Sequence, residues 1–220
     1  MPFSKKQVDP ARRAEIGRER RARTRAKIIA AAFEVFGDEA GLHAGIEDVA
    51  GKADLTRATV YNHFSSMAEL REALTYEVTH DFLAAVTRTI SAMPDAADRS
   101  ACAVRFYLHR ARADRRWGWS MLNLSATGVI FGAETFRQAR ATISEGVNDG
   151  VFPLPSADLG RDLLLGATLA AMGSMVRDDP ADDYPEMVAG YILFGLGIPF
   201  ERAMICARQP LPTLVADSGN

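Results

Sequence analysis

The chain has 220 residues, 48% of them hydrophobic and 25% charged, which is enough apolar content for one good core or two small ones and excludes wholesale disorder. Its two cysteines, Cys102 and Cys206, form neither a disulfide framework nor a metal-ligand spacing, so a reducing cytoplasm is expected, with no metal and no cofactor. The net charge of −2 conceals an asymmetry: residues 1 to 27 carry ten Lys or Arg against Asp9, Glu15 and Glu19, a local charge of +7.

Residues 1–22 therefore read as a basic arm able to neutralise phosphates or to reach into a minor groove. A solvated, disordered tail over residues 1–18 is the alternative. A signal peptide is not expected, because the apolar run that follows the basic stretch is interrupted by Glu34 and soon meets Asp38 and Glu39. Arg23, Arg25 and Lys27 stand at the start of the first helix, and Arg25 and Lys27 are candidate DNA contacts.

Residues 23–70 read as a helix-turn-helix unit. Ile46, Val49, Ala50 and Ala53 make the apolar stripe of a two-turn helix whose first turn holds Glu47 and Asp48, as the helix dipole favours. Asp54 follows where the chain must turn, and Asp tolerates a left-handed backbone. Thr56 then caps a second helix predicted from Arg57 to about His63. Val60 and Phe64 face inward, which leaves Thr56, Arg57, Ala58, Thr59, Tyr61, Asn62 and His63 as candidates for touching DNA. Ser66 and Glu69 form a capping box that opens a longer helix.

The stretch from Ala26 to Leu70 resembles the DNA-binding domain of the TetR family of transcriptional repressors. The similar parts are AKIIAAAFEVFGDEAG in the first helix, IEDVA in the second, LTRATVYNHF through the recognition helix and SSMAEL opening the fourth. Three positions depart from the pattern. Gly45 stands where Thr or Ser usually caps, Asp54 replaces the turn Gly, and Met67 replaces a Lys that often meets a phosphate. Loss of that cation shifts the expected backbone contact toward Tyr61, His63, Ser65, Ser66 or Arg71.

Residues 71–210 read as a helical effector-binding and dimerisation domain, and 211–220 as a tail. Leu70, Leu74, Val78, Phe82, Val86 and Ile90 form a ladder that ends at Pro94 and Asp95. A second helix is predicted from Asp98 to about Asp114, and a third around Phe136, Ala139, Ile143 and Val147, before the turn at Asn148 to Gly150. No convincing strand or internal repeat appears, so the fold class is all-α: an N-terminal three-helix helix-turn-helix domain followed by a helical ligand-binding and dimerisation domain.

Residues 163–176 and 187–200 are apolar nearly all round, and each run of 14 is too short for a bilayer span of about 20. A homodimer contact satisfies both faces, with Leu163, Ala167, Ala170, Met175, Tyr191, Phe194 and Ile198 as candidate interface residues and no membrane partner. Pro199 is expected to kink the last helix. The resemblance implies the same dimer contact through the final two helices, and two recognition helices about 34 Å apart would need a near-palindrome on double-stranded DNA.

Candidate ligand residues come from the aromatic-rich stretch between Phe106 and Phe131: Phe106, Tyr107, His109, Trp117, Trp119, Met121, Asn123 and Phe131, which suit a small apolar or aromatic effector. The resemblance implies that such a ligand releases the DNA. Plain core is the alternative for each of these side chains, and Trp117 could instead cover the surface beside Arg115 and Arg116. An enzyme is not expected: the four His are scattered, and no HExxH or phosphate-cradling glycine loop occurs. The other rivals are an architectural DNA-binding protein that senses no ligand, and a thiol sensor using Cys102 or Cys206.

Overall fold

The computed structural model describes residues 10–215, and every regular element among them is helical. The order is α1 (Pro10–Phe36), a 3-10 turn (Glu39–His43), α2 (Ile46–Lys52), α3 (Arg57–Tyr61), α4 (Met67–Ile90) and α5 (Ala96–Ala113). Then come α6 (Arg115–Ser125), α7 (Gly132–Asn148), α8 (Ala157–Arg177), α9 (Tyr184–Gly195) and α10 (Phe200–Arg208). Ile28, Ala32 and Phe36 of α1, Val49 of α2, Val60 of α3 and Leu70 and Leu74 of α4 bury together, and this cluster runs on without a break into the core around α5, α8 and α9.

The local signals act largely as expected. Asp54 sits at φ +48°, the left-handed turn between α2 and α3. Thr56 accepts the Thr59 N–H at 3.1 Å, and Ser66 accepts the Glu69 N–H at the same distance. The return arm of the capping box lands one residue early, because the Glu69 carboxylate takes the N–H and hydroxyl of Ser65, each at 2.6 Å. Gly45 has no side chain to cap with, yet its own N–H donates to Asp48 at 2.7 Å.

Four expectations need correction. The recognition helix stops at Tyr61, with Asn62 as its C-cap, so His63 lies beyond it. The basic arm is helical from Pro10: Ala, Arg and Glu are good helix formers, Pro suits a first helical position, and α1 continues without a break into the buried Ile28. Residues 1–9 of the arm and 216–220 of the tail lie outside the described residues. The apolar run 187–200 is two elements rather than one kinked helix. Gly197 at φ +92° turns the chain where a Cβ would meet Pro153, and Pro199 then caps α10. Last, α8 has 21 residues and is long and apolar enough to cross a membrane by length and composition, but half of its apolar window is buried inside the chain.

Candidate nucleic-acid interface and effector cavity

α3 is anchored by the fully buried Val60 and Phe64, and this leaves Arg57, Ala58, Tyr61 and Asn62 exposed, Tyr61 by 42%. Thr59 and His63 are half-buried. Arg57 is held from both sides, by Glu47 at 2.7 Å and over the Tyr61 ring at 5.6 Å. Thr56 and Thr59 share a hydroxyl contact of 2.8 Å. α1 runs alongside: Arg21 donates to the Asn62 carbonyl at 3.1 Å, and Arg25 lies 4.6 Å over the Phe64 ring. Burial lowers the His63 pKa, and the charges of Arg21 and Arg25 lower it further, so the ring is neutral near pH 7.

At 100° per residue, Arg18, Arg21 and Arg25 share one face of α1, the face beside α3. Lys27 is two positions past Arg25, about 160° around the axis, and so points away from the recognition helix. Of the residues expected to replace the missing lysine at Met67, two are engaged elsewhere. Ser65 binds Glu69, and Arg71 turns inward, over the Phe36 ring at 5.3 Å and toward the Ala44 carbonyl at 3.4 Å. Arg21 was not singled out by sequence; its i, i+4 spacing to Arg25 was the available signal.

An apolar cavity of about 60 Å³ lies between α4, α5, α7 and α8, lined by Leu83, Val86, Tyr107, Phe131, Leu164 and Leu165 with a few polar side chains. The Tyr107 hydroxyl meets Thr135 at 3.1 Å, and burial pushes its pKa up to about 12, partly opposed by that hydrogen bond, so it stays a neutral phenol. Ser100 is buried, and its hydroxyl has no hydrogen-bond partner.

Only Tyr107 and Phe131 of the eight expected ligand residues line this cavity. Phe106 packs with Cys102 and Ile90, Met121 is fully buried core, and His109 faces Glu186 at 3.4 Å. Trp117 is buried rather than covering the surface, and its Nε1 donates to the Val78 carbonyl at 2.9 Å. Trp119 is half-buried under the Arg177 guanidinium. Asn123 donates to the carbonyls of Phe36 and Asp38, at 2.9 and 2.8 Å, and so fastens α6 to the end of α1. The missed lining residues are mainly apolar, among them Leu83, Val86, Leu164 and Leu165, with hydroxyls from Thr87, Ser100, Thr135, Thr142 and Thr168, whose signal was their place on otherwise apolar helix faces.

On the opposite side, Leu163, Ala170, Tyr191 and Phe194 of α8 and α9 are exposed, Ala167 is half-buried, and Phe200 and Ile205 of α10 extend the apolar surface. Phe200 packs at 5.7 Å from Tyr191 and 5.9 Å from Phe194, so the three rings form one patch. Met175 and Ile198 do not belong to it. Both are buried inside the protomer, Ile198 because the chain turns at Gly197. Among the described residues no cluster of His, Cys, Asp and Glu is placed to hold a metal. The acidic loop 178–183 is instead gathered by Arg112, which donates to the carbonyls of Pro180 and Ala181 at 2.7 and 2.8 Å.

Residues 28–74 match the model of the bacterial regulatory proteins of the tetR family, and residues 95–209 match the tetracyclin repressor-like C-terminal domain. The chain belongs to the TetR family. It is 24% identical over 182 residues to the HTH-type transcriptional activator FasR of Mycolicibacterium smegmatis, covering 79% of this chain and 81% of the relative. Among solved structures, RolR in complex with resorcinol superposes with a TM-score of 0.73 at 23% identity, over 90% of this chain and 99% of that one. FadR from Bacillus subtilis in complex with stearoyl-CoA superposes at 0.60 and 18%, over 78% and 96%. The protein is thus an all-helical transcriptional regulator of the TetR family.

Proposed function

We propose that this TetR-family protein is a cytoplasmic homodimeric repressor that binds a near-palindromic operator and is released by a small neutral, apolar or aromatic molecule. The observation that carries the reading is the face shared by α1 and α3, where Arg57, Tyr61 and Asn62 stand exposed beside Arg21 and Arg25. Arginines that neutralise phosphates beside a short helix bearing hydrogen-bonding side chains make up the double contact of a major-groove reader. The exposed rings of Tyr191, Phe194 and Phe200 support dimerisation through α8, α9 and α10, since a patch of this kind needs a partner.

The effector reading rests on the cavity of about 60 Å³ and on the unpartnered hydroxyl of Ser100 inside it. A benzene-sized guest needs roughly 150 Å³, so a ring could enter only by spreading α4 from α7 or α8. α4 begins beneath the helix-turn-helix, so spreading at its far end re-aims the DNA-binding head. A ligand that binds the spread state better shifts the population toward it. That RolR is known with resorcinol supports a small aromatic ligand with a hydrogen-bonding group.

The test is titration of the purified protein against its own upstream intergenic DNA and a scrambled control, at two salt concentrations, with stoichiometry recorded. Tight binding of one dimer to one near-palindrome supports the reading. Equal, weak, salt-sensitive binding to both DNAs overturns it in favour of an architectural role. A promoter-fusion reporter then fixes the sign: higher output on deletion of the gene means repression, lower output means activation.

A further inference from the structure

After α10 the chain runs without regular structure over residues 209–215 and crosses from α5 to α4. Its near end is pinned on α5. The Gln209 carbonyl accepts from the buried Arg105 at 2.6 Å, and the Gln209 side-chain amide donates to Asp98 at 3.1 Å. Its far end is clipped to α4, where the Val215 N–H donates to the Thr89 hydroxyl at 2.9 Å and the Val215 carbonyl accepts from Arg88 at 3.5 Å. Between these points Leu211 and Leu214, both half-buried, pack against the cluster of Val86, Ile90, Cys102 and Phe106. The segment is therefore a strap laid over the seam between the two helices.

The effector cavity lies behind the same seam. Val86 and Ile90 of that cluster also line the cavity, as does Ala103 beside them, so at these positions a single layer of side chains separates strap from cavity. Spreading of α4 makes room for a guest, but a guest also needs a way in. The other walls are helix packed on helix, whereas the strap is held lightly. Pro210 and Pro212 have no N–H to give, and Val215, which carries the clip, is 50% exposed. Segments with few hydrogen bonds and little buried surface open at a far lower free energy than core helices do.

We propose that residues 210–215 are a lid on the effector cavity: the strap swings on Gln209, releases Val215 from Thr89, and opens the α4–α5 seam as the entry route. Passage of an effector along this route rests on the ligand-responsive reading; the lid itself does not.

The experiment reads access with iodoacetamide at pH 8, followed by mass spectrometry of each thiol in the full-length chain. Cys102 lies under the strap and reports its lifting. Ser100→Cys, made together with Cys102→Ala, reports the cavity itself, and because the Ser100 hydroxyl has no partner the exchange breaks no hydrogen bond. Cys206, buried on α10, is the control. All three thiols should react slowly beneath the intact strap. Leu211→Ser with Leu214→Ser should speed the reaction at 102 and at 100 at least tenfold and leave Cys206 within twofold. Thr89→Val, which removes the clip and little volume, should speed both at least threefold. Unchanged rates at both positions overturn the lid, and a faster reaction at 102 alone would make the strap a cover with no passage behind it. A parallel rise at Cys206 would mean general loosening and also overturns the proposal. These rates involve neither DNA nor effector, so failure of the operator titration would leave them standing.

Discussion

Replacing Asn123 by Ala tests whether the head and the body of the protein are fastened at that residue. The Nδ2 amide donates to the carbonyls of Phe36 and Asp38, at 2.9 and 2.8 Å, and Asn123 is only 5% exposed. Phe36 ends α1, so its carbonyl is one of those that a helix terminus leaves without an intrahelical donor. A buried acceptor stripped of its donor costs about 1–3 kcal/mol, so two cost about 2–4 kcal/mol once water re-enters part of the gap. For 220 residues the unfolding entropy is about 0.46 kcal/mol/K, which converts this cost to a fall in Tm of about 4–9 °C. Differential scanning calorimetry reads the fall, and amide exchange should speed up locally over residues 37–45. Unchanged Tm and exchange would refute the fastening role. If Asn123 instead anchored a ligand, effector affinity would drop while Tm stayed where it was.

Phe194→Asp places a charge in the exposed ring patch and should convert a dimer to a monomer by light scattering; a dimer that persists puts the interface elsewhere. Arg105 is buried and holds Glu186 at 2.8 Å, so Arg105→Met should cost about 3–5 kcal/mol in urea unfolding, and adding Glu186→Leu should recover most of it. Failure of the second change to rescue would mean that the lost bond from Arg105 to the Gln209 carbonyl dominates. Burial raises the Glu186 pKa, but the hydrogen bond and charge of Arg105 outweigh it, and the folded value lies below the ordinary 4.5. Its contribution to stability is therefore present above pH 4.5 and lost as pH falls through the depressed folded value. The unfolding free energy of Arg105→Met should accordingly fall less steeply between pH 5 and about pH 3 than that of the parent, and parallel slopes would refute the linkage. Burial, with Asp98 nearby, pushes the Cys206 thiol up to about 11, and burial raises Cys102 as well. Iodoacetamide at pH 8 should therefore leave both untouched until urea is added; rapid native alkylation of either would restore the thiol-sensor reading.

The helix-turn-helix was legible because its signals are local. Asp54 at a left-handed turn, Thr56 and Ser66 as caps and Val60 with Phe64 four apart each act within one turn of chain. The cavity was not legible, because α4, α5, α7 and α8 contribute to it from across the sequence, and no window of residues contains it. An aromatic cluster such as Trp117 to Phe131 reads the same whether it packs against a ligand or against neighbouring helices. The neighbours decide, and Trp117 found the Val78 carbonyl. Pro199 marked a break in both readings, but a kink and a turn differ only through Gly197 two residues earlier. For residues 10–22, charge suggested a loose arm while helix propensity suggested order, and propensity won because α1 already had a buried seed in Ile28 and Ala32.

The unbroken α1 also makes the aim of its upstream cations a matter of rotational phase. Arg18 and Arg21 keep their bearing on α3 only because the count of residues down to the buried Ile28 is fixed. One alanine inserted after Arg23 would leave the downstream half in place. Everything upstream would swing by about 100° around the helix axis and move out by about 1.5 Å, carrying Arg21 off Asn62. Four inserted residues would nearly restore the bearing, about 40° past a full turn, with the cations one turn farther out. A flexible tether would be indifferent to both insertions; this helix works as an indexed shaft, on which length and direction cannot be changed independently.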